Sequence, residues 1–245
     1  NGDPAIKVVE RLIHTKNPYA INITKTHDPN IVGDKAIKDI LDTYDLVNTY
    51  LEPLSNLIYV AVNPSCPNTK EGKTFESPMA LLELMSEIKK RQGEKPKIVK
   101  LSPNLDSTNR TNIVEAIDHL VDGYICSNTA PIDHPKYGKG GLSGQTLTKN
   151  TIEVLEKMYK LTNKPIIACG GIDSGNYAYH AMMKKAVAVQ AFSGFVVGPN
   201  SGPKFAHKVL EKLTNLRSPS FQQSAAHLRS KPLKKYHNIA EKVKK

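Results

Sequence analysis

Residues 57–63 read Leu57-Ile58-Tyr59-Val60-Ala61-Val62-Asn63, a β-favouring run closed by an asparagine. A near-continuous apolar run of this length suits a parallel strand covered on both faces, because a strand with one wet face alternates instead. The same pattern recurs at Tyr19–Ile23, Ile98–Leu101, Gly123–Cys126, Pro165–Cys169 and Ala188–Phe192. Helical spacing fills the intervals. Ile37, Ile40, Leu41, Tyr44 and Val47 make one stripe, and Leu81, Leu82, Met85 and Ile88 a second. Ile113, Ile117, Leu120 and Val121 make a third, and Ile152, Leu155, Met158 and Tyr159 a fourth. Ser77-Pro78 reads as a helix cap followed by a first-turn proline, and Gly202-Pro203 opens a last helix through Phe205, Val209 and Leu213. Strand–helix alternation of this kind implies βαβ units and a parallel sheet.

Two parallel architectures compete, the doubly wound sheet and the closed barrel. No Gly-x-Gly-x-x-Gly follows the first strand, which weakens the dinucleotide-binding form. Polar residues and glycines instead gather at the C-terminal strand ends: Asn22, Asn63 to Asn68, Lys100 to Asn104, Ser127-Asn128-Thr129, Gly170-Gly171 and Ser193-Gly194. A barrel brings such ends to one face, where a single ligand can touch them together. The expected fold is therefore α/β, a (β/α)8 TIM barrel.

The chain has 245 residues, with 39% hydrophobic and 23% charged, enough for one barrel-sized domain. Six units at about 33 residues each fit between residues 18 and 216. That leaves 17 residues before them and a basic segment after them, so only about six β/α units (strands 3–8 of the barrel) are expected here. The expected division is an incomplete TIM-barrel domain over 1–216 and a basic C-terminal extension over 217–245. Six strands alone leave two raw sheet edges. The expectation is a fragment, or a barrel completed by an N-terminal segment or a partner chain. The sequence opens at Asn1 without a leader pattern, so any targeting segment is expected to lie outside it.

No stretch approaches the eighteen or so apolar residues of a membrane helix. Cys66, Cys126 and Cys169 lack metal-ligand spacing, and an odd count argues against a disulfide framework; a reducing compartment fits better. Cys126 and Cys169 read as small buried residues within strands. The net charge of +11 permits an acidic partner, but much of it is local, in Lys231, Lys234, Lys235, Lys242, Lys244 and Lys245. Aromatic interleaving of the kind that stacks bases is missing, so the charge alone does not point to nucleic acid, and any such contact is expected only through this tail.

Five motifs, in order, carry a more specific resemblance. They are Asn63-Pro64-Ser65-Cys66-Pro67-Asn68, Lys97-Ile98-Val99-Lys100-Leu101-Ser102-Pro103-Asn104, Ser127-Asn128-Thr129 with Gly140-Gly141-Leu142-Ser143-Gly144, Ala168-Cys169-Gly170-Gly171-Ile172, and Gln190-Ala191-Phe192-Ser193-Gly194. Together they resemble the FMN-dependent dihydroorotate dehydrogenase family. The resemblance implies oxidation of dihydroorotate to orotate in pyrimidine biosynthesis, with a base taking the C5 proton while the C6 hydride goes to the flavin. By motif position Cys66 would be that base, its thiol needing a site that favours the thiolate. Asn1, Asn63, Asn68, Asn128 and Thr129 would read the substrate ring. The FMN ring would lie against Asn22, Asn63, Lys100 and Ser127, with Lys100 stabilising its anionic reduced form. Ser143, Gly144, Gly170, Gly171, Phe192 and Ser193 would hold its phosphate and ribityl chain, although Gly170-Gly171 also suits a purely structural turn.

Lys184-Lys185 replaces the family's usual Ala-Gly before the last strand, and Phe192 a more usual tyrosine. Pro64 lies inside the base motif, and Glu71 extends the loop after it. The long glycine-rich loop resembles the membrane-associated, quinone-reducing class and Cys66 the soluble class. The electron acceptor, quinone or fumarate-like, therefore stays open. The resemblance points to a mitochondrial setting, matrix or inner-membrane-associated, rather than a cytoplasmic one. Two alternatives compete with the enzyme: a non-catalytic, dehydrogenase-derived subunit of a larger assembly, and a flavin barrel acting on another dihydropyrimidine.

Overall fold

The computed structural model describes residues 3–64, 75, 77–91, 93–136, 138–197 and 201–215. Two compact units divide the chain, Asn1–Gly141 and Leu142–Lys245. The first begins with α1 (Ala5–Ile13), β1 (Tyr19–Ile23), α2 (Asp34–Tyr50), β2 (Leu57–Val62) and α3 (Pro78–Lys90). It continues through β3 (Lys97–Leu101), α4 (Ser107–Ile117), β4 (Gly123–Cys126), β5 (Ala130–His134) and β6 (Gly138–Leu142). The second holds a 3-10 turn (Gln145–Leu147), α5 (Thr148–Leu161), β7 (Ile166–Cys169), α6 (Gly175–Met183), β8 (Ala188–Gln190), α7 (Ser193–Val196) and α8 (Pro203–Asn215).

In the first unit β1 to β4 pair in chain order and in parallel; in the second, β7 pairs with β8 in parallel. These six strands stand where the apolar runs place them, and each is followed by a helix except β4, after which the β5–β6 hairpin precedes α5. β2, β3 and β4 are largely buried, as expected of strands covered on both sides, with Val62, Val99, Tyr124, Ile125 and Cys126 inaccessible. β1 and β8 depart from that expectation: on β1 only Ile23 is buried, and β8 is half-buried throughout. Cys169, expected to be buried, is half-buried. β8 stops at Gln190 rather than Phe192, because Phe192 turns into α7 with φ −116° and ψ −63°. Ser77 is the cap of α3 with Pro78 in its first turn, and α8 starts at Pro203.

Helix phase is where the structure departs from the expected stripes. The packed residues of α2 include Ala36, and those of α3 Leu84; Val114 joins the packed face of α4 and Val154 that of α5. Ile37, Leu82 and Ile152 are only half-buried. Each true face is thus turned toward a neighbouring residue. A step of 100° per residue lets two adjacent apolar positions compete, and the partner surface decides between them. Tyr159 leaves the core altogether. It lies 41% exposed, with Lys185 Nζ 3.4 Å above its ring centroid. Lys185 has φ +70°, the left-handed conformation in which a glycine is unstrained. Its neighbour Lys184 reaches Glu156 Oε1 at 2.5 Å, so both lysines clamp the α6–β8 turn onto α5.

Two elements were not anticipated. α1 lies in the segment before the first strand, with Val9 as its buried residue and Ile6 and Ile13 exposed. β5 and β6 form a two-stranded sheet in the glycine-rich loop, largely exposed along both strands.

Candidate functional site

Strand register assembles the first unit's polar ends. Asn22 pairs with Ala61, Ala61 with Ile98, and Lys100 with Ile125. Pairing continues past the end of β1, since Asn63 N–H donates to Ile23 O at 2.7 Å. Side chains two apart share a face, so Thr24, Asn63 and Lys100 stand abreast, with Asn22 one pleat below. Asn63 and Asn128 are buried to 6% and 8% exposure. Their carboxamides meet: Asn128 Nδ2 donates to Asn63 Oδ1 at 3.0 Å, and Thr129 N–H donates to Asn128 Oδ1 at 2.9 Å. Buried amides need such partners. With its oxygen engaged, Asn63 keeps its Nδ2 hydrogens for a ligand. The pair, with half-buried Lys100 beside it, faces a ligand as a donor and suits carbonyl or carboxylate oxygens. Asn22 is exposed on β1, whereas Ser127 is wholly buried, its hydroxyl 3.5 Å from Asn128 O.

The turns that carry these ends are held by buried cations and a carboxylate. Lys25, 5% exposed, donates from Nζ to Thr26 O at 3.1 Å and Asp28 O at 2.9 Å. Asp39 on α2 accepts from Thr26 N–H at 2.7 Å and from its hydroxyl at 2.8 Å. After β3, Arg110 (2% exposed) donates from Nη2 to Leu105 O at 2.6 Å; burial pulls its pKa below the ordinary guanidinium value. Two polar atoms here are left over: Arg110 Nε is buried without a partner among the described residues, and so is the Thr24 hydroxyl. Neither Thr24 nor Lys25 stands out in the sequence, since a lone Thr or Lys after a strand carries no signal until register is known.

In the second unit Ser143 Oγ and Ser193 Oγ lie 2.7 Å apart, from segments fifty residues apart in sequence. Gly144 has φ +88°, and a Cβ there would sit 3.6 Å from Ser193 Cβ, so the dihedral rather than lack of room selects glycine. At Gly170 and Gly171 room decides as well. A Cβ on Gly170 would stand 2.7 Å from Thr151 Oγ1, and one on Gly171 would collide with the backbone of Thr148. Thr148 Oγ1 donates to Gly171 O at 2.9 Å. The glycine pair thus serves the packing of the β7 turn on α5 whether or not an anion binds. Phe192 is 76% exposed beside Ser193. The serine pair shares one hydroxyl hydrogen internally and has the other to donate, next to a glycine-lined turn. This donor set fits a phosphate group.

Asn1, Cys66 and Asn68 lie outside the described residues, as do Glu71 and the basic segment 217–245. Among the described residues no group of acidic, His and Cys side chains could hold a metal ion, and no helix is long and apolar enough to cross a membrane.

Comparison with known proteins gives one family throughout. The family model described as dihydroorotate dehydrogenase matches residues 5–216. A dihydroorotate dehydrogenase (quinone) from Buchnera aphidicola subsp. Schizaphis graminum is 32% identical over 216 residues, covering 81% of this chain and 61% of that protein. The one from Vibrio vulnificus is 33% identical over 210 residues, covering 79% and 59%. The crystal structure of DHODH from Eimeria tenella in complex with ferulenol matches with a TM-score of 0.70 and 26% identity, covering 86% of this chain and 62% of that one. The chain therefore spans about three-fifths of the length of these relatives. The α/β architecture with parallel strands is that of a partial (β/α)8 barrel.

Proposed function

Because this chain belongs to the dihydroorotate dehydrogenase family, we propose that its protein oxidises dihydroorotate to orotate in pyrimidine biosynthesis, with FMN as cofactor and a quinone as electron acceptor. The observation that carries this reading is the donor face of Asn63 and Asn128, with Lys100 abreast of Asn63 at neighbouring strand ends. The substrate's C=O and carboxylate oxygens are acceptors, and a desolvated carboxamide whose own oxygen is engaged orients them without reorganising. The quinone for which these relatives are named supports that acceptor over a fumarate-like oxidant. The alternative of a non-catalytic subunit has no observation in its favour.

FMN, when bound, supplies the two-electron acceptor for the C6 hydride. The chain's own residues bind, orient and move the proton. Asn63 and Asn128 hold the substrate ring, and Lys100 supplies positive charge where negative charge accumulates. Ser143 and Ser193 donate to the phosphate, and Cys66 takes the C5 proton as general base.

The test is made on the purified full-length protein. It should be yellow, and its flavin should bleach anaerobically on addition of dihydroorotate. Cys66→Ala should slow that bleaching by at least about a hundredfold while leaving the colour. Colourless protein that gains nothing from added FMN, or bleaching by dihydrouracil but not by dihydroorotate, would overturn the reading.

A further inference from the structure

Charge is divided unevenly between the two units. Residues 1–141 carry 17 Lys and Arg against 18 Asp and Glu, whereas residues 142–245 carry 17 against 5. The net charge of +11 therefore belongs wholly to the second unit and the segment after it. Residues 142–215 hold nine lysines and no arginine, and five of the nine meet at one end of the unit. Lys157 and Lys160 share a face near the C-terminus of α5, and Lys164 follows in the turn toward β7. Lys184 and Lys185 end α6, which packs on α5. Contacts join the two sets: Lys184 Nζ reaches Glu156 Oε1 at 2.5 Å, and Lys185 Nζ stands 3.4 Å above the Tyr159 ring. Lys184 and Lys160 both hold the Glu156 carboxyl below its ordinary pKa, which sets Lys160 in the same group. Glu153, one turn back, faces Lys149 instead, at 3.9 Å. A lysine near a helix C-terminus is favoured by the carbonyl ends, which accounts for Lys160. It does not account for Lys164, beyond the end of α5, or for Lys185, held at φ +70° where a glycine would be unstrained. Like charges gathered this way repel one another, and an outside anion relieves that repulsion.

We infer that this end of the second unit docks on an anionic lipid surface, its lysines over the headgroup phosphates. Clusters of basic side chains on flexible stems suit the diffuse negative potential of a bilayer, which needs no fixed geometry. Tyr159 and Met183, 41% and 37% exposed among these lysines, supply apolar bodies for the headgroup level. Other polyanions fit less well. A folded acidic protein is met best by the planar fork of arginine, which residues 142–215 lack. Single-stranded nucleic acid wants free aromatic faces, and Tyr159 already carries Lys185 on its ring. Lys185 precedes β8 and Ser193 follows it, so docking at this end leaves the serine pair open. The inference does not depend on the functional reading above.

The test is cosedimentation of the full-length protein with lipid vesicles. Wild type should pellet with vesicles of equal parts phosphatidylglycerol and phosphatidylcholine and stay in solution with phosphatidylcholine alone. It should be released at about 1 M salt, where the screening length shrinks to about 3 Å. Lys157→Gln, Lys160→Gln and Lys164→Gln together leave the Lys184 and Lys185 contacts in place. This triple variant should partition at least about tenfold less, with its melting temperature unchanged. Arginine at the same three positions should restore binding. Lys157→Glu, at a single exposed position, should give a smaller loss of the same kind and serves if the triple variant folds poorly. Wild-type protein that ignores the anionic vesicles overturns the inference, as does a well-folded triple variant that binds them like wild type. Binding lost only when Lys234, Lys235, Lys242, Lys244 and Lys245 become glutamine moves the contact to the C-terminal segment and overturns it too. Oligouridylate bound in place of vesicles, and released by the triple substitution, assigns the face to RNA and overturns the lipid.

Discussion

Asn63 and Asn128 are buried and bonded to each other at the strand ends of the first unit, whereas Ser143 and Ser193 share a hydrogen in the open in the second. The amide pair has given up its water before any ligand arrives, so its orientation is set in advance and each half depends on the other. The hydroxyl pair is far less buried, so losing it strands no fully desolvated group. Burial therefore couples recognition to stability in one region and separates them in the other. The reading has chemical sense. A ring that reacts must be held in one pose, while a phosphate that only anchors can be met by adaptable donors.

The largest expected effect follows from breaking the amide pair. Asn63→Leu takes the Oδ1 acceptor from Asn128 Nδ2, and Asn128→Leu takes the donor from Asn63 Oδ1 and the acceptor from Thr129 N–H, for a loss of about 1–3 kcal/mol in chemical denaturation. Dihydroorotate turnover should fall at least about a hundredfold in kcat/KM as the pose is lost. The double variant removes both polar groups, so its stability should lie nearer the wild type than the sum of the two single losses. Additive losses would mean that the pair is not a unit.

A smaller effect is expected at the serines. Ser193→Ala should raise the FMN Kd about tenfold while changing stability by less than about 0.5 kcal/mol. A large loss of stability there would erase the contrast between the two regions.

The smallest effect tests the lysine clamp of the second unit. Lys184 hydrogen-bonds the Glu156 carboxyl and holds its pKa below the ordinary value of 4.5. An acid depressed in the folded state stabilises it above that ordinary value and loses the contribution as pH falls through the lowered one. Denaturation midpoints of wild type and Glu156→Gln should therefore differ slightly at pH 7 and converge in acid. A gap that persists unchanged below pH 3 would remove the ion pair as its cause.

Much of the fold was legible from the chain because its signal is local. Leu57–Val62 is apolar without interruption and stops at Asn63, and five other short runs are mostly apolar, broken only by Asn22, Lys100 and Gln190, so strand positions needed no knowledge of neighbours. The hairpin of β5 and β6 is not legible in the sequence because Gly138-Lys139-Gly140-Gly141 has no apolar face to announce a strand. α1 carries only the helical spacing of Ile6, Val9 and Ile13, of which Val9 alone is buried, so little in it marks a packed element. The usual Ala-Gly that Lys184-Lys185 replaces acquires its explanation only from the backbone, where Lys185 carries a positive φ and relies on Tyr159 for support.

The sequence by itself determined the class of fold, the order of the strand ends and the kinds of side chain placed on them. Each of these depends on a residue's own chemistry and on neighbours within a turn or a pleat. Only the tertiary structure decided that Asn63 bonds Asn128, sixty-five residues away, that Tyr159 faces out while Val154 faces in, and that the Thr24 hydroxyl is left without a partner. Register and helix phase come from packing between distant segments, where several local solutions are nearly equal in energy and the shared interface selects one.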